Sequence, residues 1–265
     1  MITLAERING QFLDVKKAIK ERNPSVIHDL AKKQTEAGAT YLDINVGTAA
    51  ADQEDAMKWL VESTQEAVST PIAIDSQKLS VIKAGLEVIK NDVMINSAQG
   101  DPDVLDTYMK LAKEHNAALI CLTMNKEGIP QNVDTRIEIA AEIAGKAMEH
   151  DVDMDKIYID PILFSIPVDQ KQPAYMLEVF NQIKLISDPS PHITVGLSNL
   201  AQGTQEKSLI CRTFLAMAIA AGMDTALMDV LDTELMDTAI CAEMLLNKQI
   251  YSDSFLKAAD RKSVV

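Results

Sequence analysis

Histidine and cysteine are scarce in this chain and nowhere clustered. Four histidines (His28, His115, His150, His192) and three cysteines (Cys121, Cys211, Cys241) lie far apart, with no C-x-x-C pair. That spacing excludes a zinc motif, and the odd cysteine count fits reduced thiols better than a disulfide framework. No metal site is expected. Basic residues are also short. Lys and Arg number 25 against 39 Asp and Glu, a formal charge of −14 at pH 7, which opposes approach to phosphate backbones and to anionic membrane faces. Neither nucleic acid nor a membrane is an expected partner. Long apolar runs are missing as well: the longest, Phe214 to Met223, falls far below the roughly 20 residues of a membrane span. Glu6 and Arg7 interrupt the start before a signal peptide could form. The expected location is cytoplasmic.

What is present is a regular alternation. A chain of 265 residues, 47 % hydrophobic, suits one well-buried core, so residues 1–265 are expected to form a single domain. Short apolar, β-rich runs recur eight times: Ile2 to Ala5, Tyr41 to Val46, Ile72 to Asp75, Val93 to Asn96, Ala118 to Thr123, Ile157 to Asp160, Ile193 to Leu197 and Thr225 to Met228. Amphipathic segments separate them. Val104, Tyr108, Leu111 and Ala112 mark one helical face, and Ile137, Ala140, Ala141, Ala144 and Met148 another. Asn23-Pro24 and Asp101-Pro102 signal helix starts, while Gly38 and Gly222 signal helix ends. Strict alternation over this length predicts parallel strands with right-handed crossovers closed into a (β/α)8 barrel, with an open doubly wound sheet as the alternative. The apolar helix from Phe214 to Ala221 is expected to be deeply buried or to face another subunit. The tail after Ser254 is expected to fray.

Barrel enzymes carry their reactive groups at the C-terminal ends of the strands. Those positions hold Asn9, Asp43, Asn45, Asp75-Ser76, Asn96-Ser97, Thr123, Asn125, Asp160-Pro161, Ser198-Asn199 and Asp229. No lysine or histidine lies in any expected strand, which counts against Schiff-base and imidazole acid–base chemistry. No glycine-rich turn of the phosphate-gripping kind follows strands seven and eight. Carboxylates and carboxamides remain, a set suited to a neutral heterocycle rich in N–H donors, because an ionised carboxylate accepts two parallel hydrogen bonds from a ring N–H and its adjacent amine. A pterin presents such an edge. Each acidic residue taken singly is also an ordinary helix cap or turn opener. Their joint occurrence at one barrel end favours the functional reading.

The segments AERING (5–10), LDINVG (42–47), IDS (74–76), MINSA (94–98), LTMNKEGIP (122–130), YIDPI (158–162) and GLSN (196–199) together resemble the pterin-binding barrel family. Within it they look most like the methyltetrahydrofolate:corrinoid protein methyltransferases, including the branch serving the corrinoid iron–sulfur protein. The resemblance implies that Asp75, Asn96 and Asp160 hold the pterin and that Asn199 stands against N5 of the folate. It implies that Gly196 and Ser198 line the same strand end, and that Gln202 and Lys207 hold the rest of the ligand. Ala5 stands where the family commonly has glycine, and Lys207 where the iron–sulfur branch is expected to have arginine.

The implied substrate is 5-methyltetrahydrofolate, or tetrahydrofolate in reverse. The chain has no Asp-x-His-x-x-Gly cobalamin signature, so the corrinoid is expected on a partner protein; the resemblance also implies a homodimer. With no lysine or histidine at the strand ends, Asn199 is the expected stabiliser of charge at N5, with water or bulk acid supplying the proton. Two alternatives remain: an enzyme like dihydropteroate synthase, whose Ser-Arg-Lys stretch is replaced here by Ser198-Asn199-Leu200, and a non-catalytic folate-binding protein.

Overall fold

All eight apolar runs form strands in a computed structural model that describes residues 1–248; the tail after Ser254 lies outside the described residues. The strands are β1 (Ile2–Asn9), β2 (Tyr41–Asn45), β3 (Ile72–Asp75), β4 (Val93–Gln99), β5 (Ala118–Leu122), β6 (Ile157–Asp160), β7 (His192–Ile193) and β8 (Thr225–Met228). They pair in parallel in the order β7-β6-β5-β4-β3-β2-β1-β8. A bridge between Gly196 and Leu227, with Leu227 N–H donating to the Val195 carbonyl at 3.0 Å, brings the two ends together. The architecture is a (β/α)8 barrel.

Nine α-helices cover it among the described residues: α1 (Leu13–Glu21), α2 (Pro24–Glu36), α3 (Gln53–Ala67), α4 (Leu79–Val88), α5 (Pro102–His115), α6 (Val133–Glu149), α7 (Gln172–Ile183), α8 (Lys207–Ala220) and α9 (Thr233–Leu245). Asn23 caps α2 by accepting from Ser25 N–H, and Gly38 (φ +90°) and Gly222 (φ +103°) take the left-handed conformation expected after α2 and α8. Asp101 departs from expectation: its side chain does not cap α5 but accepts from Lys126 N–H at 3.1 Å, anchoring the turn that follows β5. No described helix is long and apolar enough to cross a membrane.

Three local differences position the site. β1 runs four residues past its apolar stretch, through a register shift between Ala5 and Ile8. β4 carries a second shift between Asn96 and Ala98; such irregularities at a barrel rim re-aim side chains. β7 is shorter than expected, and Leu197–Ala201 winds instead into a 3-10 turn. On α6 the buried stripe is Arg136, Ile139, Ala140, Ile143, Ala144 and Ala147, whereas Met148, expected inward, is 62 % exposed. The helix is rotated from its expected face because a buried arginine, not an apolar residue, begins the stripe.

Candidate active site

Side chains on successive strand residues alternate between the barrel interior and the helix layer. Leu4, Ala73, Met94, Ala118, Ile120 and Tyr158 pack together as a separate interior cluster, with Ile2, Tyr41, Leu122 and Leu227 against it. Two residues further along the same strands, inward positions become polar: Glu6 follows Leu4, Asp43 follows Tyr41 with Asn45 two residues beyond, Asp75 follows Ala73, Asn96 follows Met94, Asp160 follows Tyr158, and Asp229 follows Leu227. Strand register staggers them: Asp43 pairs with Ala73, Asn45 with Asp75, and Asn96 with Ile120, two residues before the Leu122 that pairs with Asp160. Asn9, Asn45, Asp75 and Asn96 are neighbours across β1 to β4, and Asp160 pairs with Leu122 on β5. Asp75, Asn96 and Asp160 therefore lie toward the same, C-terminal end of the barrel, with Asp160 one layer above the other two.

Hydrogen bonds knit this rim. Asn45 donates its amide to Asp75 at 2.5 Å and accepts from Gly47 N–H at 2.5 Å. Asn96 donates to buried Asp43 at 2.9 Å. Across the mouth, Ser198 Oγ donates to Glu6 at 3.1 Å. Asp160 accepts from Ile162 N–H at 2.7 Å, so it also opens the turn after β6. Near Asn45 and Asp75 the rim opens into a cavity of about 480 Å³, with Gln11, Ser76, Gln77 and Lys78 in its wall. Asn96, Asp160 and Asn199 lie outside that lining.

The 3-10 turn presents Ser198 and Asn199 to solvent. Gln202 donates to Asn199 Oδ1 at 3.0 Å, which leaves the Asn199 amide N–H groups free to donate elsewhere. Gly196 has a steric reason beside them: a Cβ there would fall 2.7 Å from Asn199 Nδ2. Lys207 is not brought into this group. It opens α8, is exposed, and makes no hydrogen bond or ion pair among the described residues.

Crowding carboxyl groups in a half-buried mouth disfavours their charged forms. Burial pushes Glu6 up to about 7, with the Ser198 bond opposing and nearby Asp229 adding to the rise. Burial likewise raises Asp160 to about 7 and Asp75 to about 6. Asp43 lies well above its ordinary value through burial and the neighbouring Asp75. Groups near neutrality in a cleft mark functional sites. Glu6 is absent from the site residues expected on sequence although it sits inside AERING; its signal is inward parity with Leu4.

The same barrel recurs in known proteins. A family model described as "Pterin binding enzyme" matches residues 10–229. The methylcorrinoid:tetrahydrofolate methyltransferase of Eubacterium limosum is 31 % identical over 97 % of this chain and 96 % of its own. Methionine synthase of Mycobacterium leprae is 28 % identical over 86 % of this chain, which spans only 20 % of that protein. Among solved structures, a Yersinia pestis dihydropteroate synthase bound to a pterine-sulfa conjugate superposes with a TM-score of 0.65 at 16 % identity, covering 93 % of this chain and 94 % of that one. A Xanthomonas albilineans dihydropteroate synthase in complex with 7,8-dihydropteroate gives 0.65 at 15 % identity, covering 93 % and 92 %. At such identities these structures speak to the fold alone.

Proposed function

The chain belongs to the pterin-binding enzyme family, and on that premise we propose that it moves the N5-methyl group between methyltetrahydrofolate and the cobalt of a corrinoid carried by a separate protein. The observation that carries this reading is the ring of inward carboxylates and amides two residues above an apolar barrel interior. Asp75, Asn96 and Asp160 hold the pterin edge, since ionised carboxylates make the short, strong hydrogen bonds its donors need. Gly196 and Ser198 shape the strand-seven side, and Gln202 fixes the Asn199 amide. Lys207, one turn further on, meets the folate tail.

Transfer breaks the bond from N5 to the methyl carbon and forms one from that carbon to cobalt. The reduced cobalt supplies the attacking electron pair, and N5 keeps the pair it shared with the methyl group. A tertiary amine leaves poorly unless that developing charge is met, and Asn199 donates an N–H there as the charge builds. Glu6 adds a group not evident in the strand-end pattern: a carboxyl that burial keeps partly protonated at neutral pH, one hydrogen bond from Ser198. Positioning of methyl and cobalt in line supplies much of the remaining acceleration.

The corrinoid protein is one partner, and a second copy of this chain is the other. Leu245 and Leu246 are exposed at a mainly apolar crevice lined also by Ala216, Ala220 and Cys241, and Leu209 and Met217 are further exposed apolar residues of α8, which supports a homodimer. The described residues act as one barrel unit in a cytoplasmic enzyme.

The test is spectroscopic. Mixing the protein with methyltetrahydrofolate and a reduced corrinoid protein is expected to convert cobalt(I) to methylcobalt(III). Folate binding with persistent cobalt(I) across the corrinoid proteins of the host would favour a non-catalytic folate carrier. Condensation of a pterin with an aminobenzoate would favour the synthase alternative.

A further inference from the structure

Arg136 is a basic side chain with no exposure at all, carried in the first turn of α6. Its Nη1 donates to Gln172 Oε1 at 2.9 Å, while its Nε and Nη2 have no partner. Gln172, equally buried, is held in turn by donating to Asp169 at 3.1 Å and to the Gln131 carbonyl at 3.3 Å. The Phe164 ring lies 5.8 Å from the guanidinium carbon. Removing a guanidinium from water and leaving two donor positions unused is costly, and packing alone gives no reason to place arginine where α6 otherwise carries Ile139, Ala140 and Ile143.

A reason lies on the neighbouring strand. Asp160 ends β6 with one oxygen engaged by Ile162 N–H and the other with no hydrogen-bond donor among the described residues. Arg136 acts on it through space, without a close ion pair, and draws it toward the charged form against the burial that favours the neutral one. We infer that Arg136 is a positioning residue, a buried counter-cation to Asp160 that draws this carboxyl toward the charged form in which it receives the pterin edge. The inference rests on the proposed function only in taking Asp160 as a pterin anchor.

The surroundings make the assignment specific. β5 beside Asp160 offers Leu122 and the hydroxyl of Thr123, and the inward residue on the β7 side is Thr194, whose hydroxyl is buried without a partner. His192, two residues below Thr194, is engaged by Asp224. In the loop after β6, Asp169 is committed to Lys171 N–H and Gln172. Arg136 is therefore the cation acting on Asp160 among the described residues. A carboxyl left neutral presents one donor and loses the two-point acceptance that a ring N–H and exocyclic amine require.

Calorimetric titration of wild type, Arg136→Met and Arg136→Lys with 5-methyltetrahydrofolate from pH 6 to 9 tests this. Arg136→Met is expected to bind about fivefold more weakly at pH 7, with the pH midpoint of binding raised by about one unit and most of the deficit recovered at pH 9. Arg136→Lys, which keeps the charge, is expected to stay near wild type. A loss of equal size at every pH would assign Arg136 a packing role and overturn the inference. The titration of Asp160 itself, followed by carboxyl carbon NMR in the ligand-free protein, reads the same coupling without folate: an unmoved midpoint in Arg136→Met sinks the inference even if folate binds, whereas a wild type that fails to bind folate sinks only the proposed function. Should Arg136→Met not fold, Arg136→Gln keeps N–H donors without charge and serves the same comparison.

Discussion

The two ends of this barrel hold half-buried aspartates whose acidities are shifted in opposite directions. At the bottom, Asp224 precedes β8 and accepts from Lys184 at 2.7 Å, from His192 at 3.1 Å and from Ile193 N–H at 3.0 Å. Burial opposes its charge, yet the His192 and Lys184 bonds hold its pKa down to about 2. At the top, Asp160 and Asp75 are likewise half-buried but have few cations, and they rise to about 7 and about 6. Partners, not depth, decide the difference. The lower cluster is built to stabilise the fold, and the upper one is held in readiness for a ligand whose donors complete it. That division matches the general rule that barrel chemistry sits at the C-terminal ends of the strands.

Removing one group from each end separates these roles. Asp160→Ala is expected to weaken methyltetrahydrofolate binding by roughly 10²-fold or more, as loss of a charged hydrogen-bonding anchor costs about 2–5 kcal/mol. Its melting temperature at pH 8 should not fall; calorimetric affinity near wild type would take Asp160 out of the site. Asn199→Ala is expected to lower the methyl-transfer rate by roughly 10²-fold, about 3 kcal/mol of transition-state stabilisation, with folate affinity much less affected. Unchanged single-turnover transfer refutes that role. At the other end, Asp224→Ala should cost about 2 kcal/mol of fold stability at neutral pH and leave folate affinity alone. Denaturant titration beside a binding curve checks both halves of that statement.

The smallest effect is a sign. Asp224, with its folded pKa depressed, contributes stability that is present above its unfolded value near 4 and is lost as pH falls toward about 2. Glu6, Asp75 and Asp160 are raised, so the folded state binds more protons than the unfolded one between about pH 4 and 7. The ligand-free protein should accordingly lose stability as pH rises from 5 to 8, by about 1 kcal/mol or more and hence roughly 2–4 °C in Tm. Asp160→Asn should flatten that slope. A melting temperature that climbs over this interval would mean the rim carboxyls are not held neutral.

Much of this is legible in the residues, and the failures share a cause. The strand ends of β3, β6 and β8 match their apolar runs because those strands change from apolar to polar where the barrel interior ends. Apolar patterning stops β1 four residues short because Glu6 and Arg7 break it, although Glu6 continues the inward parity of Leu4. It also turns α6 to the wrong face, because hydrophobic periodicity assigns arginine to solvent and here Arg136 is buried. The Asp-Pro dipeptide makes Asp101 a cap, since so local a signal cannot see the Lys126 backbone 25 residues away. Binary patterning thus locates elements and misplaces charges that fold inward, which are the residues that matter for chemistry. Asp75, Asn96 and Asp160 are visible as a set only because all three end expected strands, although β4 in fact runs on to Gln99; what raises the pKa values of the two aspartates needs coordinates.

The most direct test of the account is proton release on folate binding, measured by calorimetry in two buffers of different ionisation enthalpy. Carboxyls that are partly neutral in the empty rim and ionised against the pterin must shed protons as the ligand enters, so release is predicted between pH 6 and 7, dwindling to none by pH 9. Binding with no release, or with proton uptake across that range, would contradict it.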